Sequence, residues 1–177
     1  MTSLILTVIG LDRPGLVGMI SQVVSRHGGN WLESRMAKLA GQFAGIVHIT
    51  VDEAASEAVT RELSELRSKG LMIDVTRTSP ESDAADEDGS TTYELEFMGH
   101  DRPGLVHDIA SALAARRISV IELETFTLSA PMSGEAMFKA VAQLQSPADV
   151  DSDELQQALD QVADHLDLDL SLTERSA

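Results

Sequence analysis

Apolar residues fall into two rhythms along this chain, and the rhythms recur in the same order twice. Residues 4–9 (LILTVI) form a short β-type run, after which Leu16, Met19, Ile20, Val23, Val24 and His27 share one helical face. WLESRMAKLA (31–40) and QFAGIVHITV (42–51) read as two strands joined by a tight turn at Gly41. Phe43, Val47, Ile49 and Val51 there alternate with Ala44, Ile46, His48 and Thr50, which defines a core-facing side. A helix is predicted over 54–69 with Val59, Leu63 and Leu66 on its inner stripe. Gly70 ends it, because glycine enters the left-handed conformation at no steric cost, and LMIDVTR (71–77) follows as a strand.

The second half repeats the order. TYELEFM (92–98) is a strand, and Leu105, Ile109, Ala112 and Leu113 mark a helix face. Strands follow near 119–129 and 135–145, then a helix at 153–166 and the clean alternation LDLDLSLT (166–173). Each half is β-α-β-β-α-β. Six elements in that order predict an α+β fold, a ferredoxin-like four-stranded antiparallel sheet with both helices on one face. In the first strand Leu4, Leu6 and Val8 point one way while Ile5 and Ile9 point the other. A sheet with a second apolar face needs a cover, from the other half of the chain, another subunit or both, so a homodimer or larger assembly is expected.

Residues 10–17 read GLDRPGLV and residues 99–106 read GHDRPGLV, seven matches in eight positions at an offset of 89. The same flanking elements stand around both copies, so the chain is read as a duplication. Domains are expected at 1–77 and 91–175. Between them TSPESDAADEDGS (78–90) is acidic and almost without apolar side chains, so burial cannot offset its ordering entropy and a mobile linker is expected.

Charge narrows the range of partners. The formal net charge is −16, with residues 1–89 at −5 and residues 90–177 at −11. Such a surface repels phosphate backbones, so direct nucleic-acid binding is not expected. There is no cysteine, which removes disulfides, thiolate zinc sites and cysteine nucleophiles. The first residues, MTSLILTVIGLDRPG, carry no basic n-region and too short an apolar run for a signal peptide or membrane span, so a cytoplasmic protein is expected.

Candidate chemistry sits at the repeated turn. Pro14 presets φ for a first helical turn, and Gly15 lets a ligand approach its backbone. The N–H groups of Gly15, Leu16 and Val17, at the positive end of a helix, suit a small carboxylate. Asp12 either caps that helix or accepts from a ligand ammonium, so the turn suits an α-amino acid. Asp101, Pro103, Gly104, Leu105 and Val106 repeat the arrangement. Capping alone accounts for such a turn as readily as binding does, and duplication copies caps as well as sites.

The DRPGLV turn after an apolar strand, the helix behind it and Asn30 at the entry of the second strand together resemble the ACT-domain family, over nearly the whole chain. In layout the chain is similar to the glycine cleavage system transcriptional repressor group, two ACT units and little else. The resemblance implies a small amino acid, glycine or similar, as effector. It would be held where units meet by Asp12, Pro14, Gly15, Leu16, Val17 and Asn30, and in the second half by Asp101, Pro103, Gly104, Leu105 and Val106. It also implies regulation of transcription in glycine or one-carbon metabolism through a protein partner such as a transcription factor. Ser119 replaces Asn30 in the repeat and the second hairpin is longer (SAPMSGE against AGQ), so the first half is expected to be the better site. The alternative is an interaction module that pairs through its sheets without a ligand. Deformylases and uridylyltransferase regulators also carry ACT units, but they need a catalytic domain, for which this chain shows no motif.

Other features point to no chemistry. The five histidines form no HExxH and no i, i+4 pair, and His27 is read as a packed residue of its helix face. Asp149, Asp151 and Asp153 lack the glycine and glutamate of a calcium loop, and Asp151 with Glu154 reads as a capping box. Phosphate loops, the GxSxG elbow and any acid–base–nucleophile set are missing, so neither an enzyme nor a cofactor is expected.

Overall fold

A computed structural model describes residues 1–78, 90–130 and 133–175. The chain divides into two compact units, Met1–Ala85 and Asp86–Ala177. The segment expected as a linker, 78–90, lies outside the described residues apart from Thr78 and Ser90.

The first unit runs β1 (Thr2–Leu11), α1 (Leu16–Arg26), β2 (Asn30–Leu39), β3 (Gln42–Val51), α2 (Ser56–Glu65) and β4 (Leu71–Thr78). Short 3-10 turns, Glu53–Ala55 and Leu66–Lys69, flank α2, so the predicted helix at 54–69 is α-helical only in its middle. The second unit runs β5 (Thr91–His100), α3 (Leu105–Ala114), β6 (Ser119–Ser129), β7 (Ala136–Ser146), α4 (Ser152–Leu166) and β8 (Leu168–Arg175). The sheets have the orders β2-β3-β1-β4 and β6-β7-β5-β8, antiparallel throughout, which is the predicted ferredoxin-like topology.

Alternation places one face of each sheet against its helices. Leu4, Leu6 and Val8 of β1 and Val47, Ile49 and Val51 of β3 meet Ile20, Val23 and Val24 of α1 and Val59 and Leu63 of α2. Leu95, Phe97, Ala142 and Leu144 meet Ile109, Leu113, Leu155 and Leu159 in the second unit. Each core is built from its own unit's residues, as expected of two small domains with separate apolar faces.

Local geometry corrects several expectations. The β2–β3 turn uses two left-handed residues, Ala40 (φ 48) and Gly41 (φ 79), as a two-residue hairpin requires. The alternation read from 166 starts two residues early: Leu166 still belongs to α4, and Asp167 (φ 54) closes that helix before β8 begins. His27 does not pack into the core but sits at the end of α1 with Nε2 2.7 Å from Glu62 Oε2. Asp151 caps α4 as expected, its Oδ1 accepting from the amides of Asp153 (2.8 Å) and Glu154 (3.2 Å). One edge strand of each sheet bulges two residues in, β2 between Trp31 and Glu33 and β6 between Val120 and Glu122. No helix among the described residues is long and apolar enough to cross a membrane.

Candidate functional site

The repeated turn has one geometry in both units. Gly15 (φ 95, ψ 0) and Gly104 (φ 98, ψ −12) are the N-cap residues of α1 and α3, in the left-handed region that glycine enters without strain. Pro14 and Pro103 therefore precede the cap and are not in the first helical turn. Neither Asp12 nor Asp101 caps, since no side chain bonds either helix start. The first helical bonds, Met19 N–H to Gly15 O (3.0 Å) and Asp108 N–H to Gly104 O (2.9 Å), leave the preceding amides outside the helical ladder. The space over Gly15 is open: a Cβ there would meet nothing within 4 Å.

The aspartates differ between the units. Asp12 Oδ2 lies 2.5 Å from Lys38 Nζ at the end of β2. The repeat places Thr127 where Lys38 stands, so Asp101 faces no lysine from its own edge strand. The motif's arginines share a structural role that the sequence did not reveal. Arg13 donates to Lys69 O, and Arg102 donates to Leu166 O at 2.8 Å. Each ties its turn to the end of the unit's second helical segment, where a cation suits the exposed carbonyls.

Leu16 and Leu105 are buried and offer a ligand only their amides, whereas Val17 and Val106 are exposed. Asn30 is not brought to the turn. β1 and β2 both run antiparallel to β3, hence parallel to each other, and Asn30 stands opposite Thr50, itself opposite Ser3. The turn follows Leu11 at the other end of β1, so roughly 27 Å of strand separates it from the Asn30 end. Asn30 instead borders the outer sheet face, where Ser3 Oγ and His48 Nε2 are 2.5 Å apart. Next to them Ile5, Glu33, Arg35, Ile46 and His48 surround a hollow of about 170 Å³. Ser119 occupies the same distant position in the second unit.

The fold agrees with what the chain is similar to. ACT-domain family models match residues 2–76 and residues 93–166. The chain is a tandem ACT-domain protein. Over 158 residues it is 27% identical to the glycine cleavage system transcriptional repressor of Escherichia coli, covering 88% of this chain and 80% of that protein. A UPF0237 protein of Methanopyrus kandleri is 36% identical over 76 residues, 42% of this chain and 84% of that protein. The crystal structure of an unknown protein from Galdieria sulphuraria superposes with a TM-score of 0.87 at 29% identity over 99% of both chains. ACT domains are small regulatory modules, and no group of three or more metal-binding side chains occurs among the described residues.

Proposed function

We propose that this protein senses a small amino acid and regulates transcription in glycine or one-carbon metabolism through a protein partner. The uncapped helix start behind a left-handed glycine, present in both units, carries the reading. Its amides suit a carboxylate, and the aspartate three residues before each glycine suits an ammonium. The likeness to the Escherichia coli repressor supports the glycine link, and the acidic surface favours a protein partner over DNA. Asn30 stands far from its own unit's turn, so in this reading it reaches a bound effector only from a neighbouring unit or copy. The effector then acts by its difference in affinity between assembled and separate states.

Calorimetry with glycine, serine and the other amino acids on wild type, Asn30→Ala and Asp101→Ala tests this. One amino acid binds wild type, and both variants weaken it. Silence from every amino acid at millimolar concentration removes the sensing reading. The Lys38–Asp12 pair favours a second reading, an interaction module whose first turn is already satisfied. That reading predicts a stable oligomer indifferent to amino acids and to Asn30→Ala.

A further inference from the structure

The outer face of the first sheet, away from the helices, carries the hollow beside Ser3 and His48. Two rows of side chains form it. One crosses β2, β3 and β1 as Glu33, His48 and Ile5, and the next begins with Arg35 and Ile46. Ile5 and the half-exposed Ile46 supply the apolar surface. Glu33 and Arg35 stand on edge strand β2 with Oε1 of one 4.0 Å from Nε of the other, too far for a direct hydrogen bond between those atoms. The Ser3 hydroxyl holds His48 Nε2 at 2.5 Å and fixes that ring as a wall. Asp74 shares the face but stands beyond Thr7 on β4 and does not line the hollow.

The second unit is an internal comparison. Its corresponding rows read Glu122, Gln143, Glu94 and then Glu124, Val141. Glu94 breaks the apolar surface that Ile5 provides, and Glu124 sets a second acceptor where Arg35 offers a donor. The hollow's chemistry therefore belongs to the first unit alone.

We propose that this hollow binds a neutral six-membered ring with a lactam edge, an N–H beside a C=O, as in uracil. Glu33 accepts from the ring N–H and Arg35 donates to the adjoining carbonyl, each at about 2.9 Å. The ring covers Ile5 and Ile46, removing apolar surface from water. A cavity of roughly 150 Å³ takes one benzene-sized ring. The hollow's volume of about 170 Å³ therefore suits one ring and not a fused pair. A ligand of single charge fits less well, because a carboxylate meets Glu33 and an ammonium meets Arg35. The chain's net charge of −16 repels anions further and leaves a neutral ring untouched. Ile5 stands about six residues of β1, roughly 20 Å, before the repeated turn, so this site is separate from the one there.

NMR titration of the full, uniformly 15N-labelled chain with uracil tests the site, with circular dichroism confirming that each variant is folded. Saturable shifts are expected at the amides of residues 5, 33–35 and 46–48. The analogue 1,3-dimethyluracil keeps the ring but has no N–H, and a site built around that hydrogen bond rejects it. Glu33→Ala weakens binding about tenfold or more. Arg35→Glu and Ile5→Glu, which copy the second unit, abolish it, and Glu124→Ala leaves it unchanged. Absence of a saturable shift at these amides overturns the proposal. So does equal binding of 1,3-dimethyluracil, or leucine shifting the same amides where uracil does not.

Discussion

Lys38 and Asp12 meet across β3: β1 and β2 run parallel on either side of it, and both finish at the end where β3 begins, one just before the turn and the other at the hairpin. The lysine occupies the carboxylate to which a ligand ammonium would bind. Lys38→Ala is therefore expected to strengthen amino-acid binding at the first turn, seen in calorimetry as a lower Kd or an added site. Lys38 is largely exposed, so the melting curve shifts by no more than about 1 kcal/mol. An unchanged isotherm would show that the first turn does not bind.

Gly15 and Gly104 are required by their backbone, not by crowding. Gly15→Ala and Gly104→Ala each cost about 1–2 kcal/mol in urea unfolding, because φ near 95–98 burdens any residue with a Cβ. Gly18, inside α1 with open space around it, gives the opposite sign: Gly18→Ala stabilises by about 0.5–1 kcal/mol.

Glu62 links α2 to the end of α1. The hydrogen bond from His27, helped by the charges of Arg26 and His27, holds its carboxyl below the ordinary value of 4.5 against a smaller opposing effect of burial. A depressed carboxyl stabilises the fold above its unfolded value, and that support is lost as pH falls through the folded value. Stability is thus expected to drop below about pH 4.5, and Glu62→Gln flattens the drop. Equal acid slopes in denaturant titrations of the two proteins would remove the linkage.

Trp31 is the chain's single tryptophan and packs on the first core. Leu6→Ala, at a position with no exposure, costs about 2–5 kcal/mol and moves the Trp31 fluorescence transition to lower urea. Leu95→Ala destabilises the second unit by a similar amount, read by the single tyrosine, Tyr93, which lies in that core.

Hydrophobic rhythm carried most of the fold, because Leu4, Leu6 and Val8 or Leu63 and Leu66 have one way to be buried once their period is known. It carried less at element ends. Leu166 and Leu168 alternate like a strand, yet one closes a helix and the other opens β8, since Asp167 turns the chain between them. At the site, the repeated motif located the turn but not its bonding. Asp12 looked like a cap because capping is local, and its partner came from Lys38, distant in sequence. The signal was present all the same: two parallel strands bring Lys38 beside Asp12 and carry Asn30 away. The arginines' attachment to Lys69 and Leu166 left no local trace at all.

Leu32 and Ile121 are each the one residue too many in an edge strand, at matching places in the two halves. An irregularity so placed is simplest to inherit from a single ancestral segment, older than the doubling of the gene. A flat rim invites endless stacking into fibres, and copying it would have copied the hazard. The β2 and β6 rims are interrupted at the same place, so neither offers a neighbouring chain an unbroken template along its whole length.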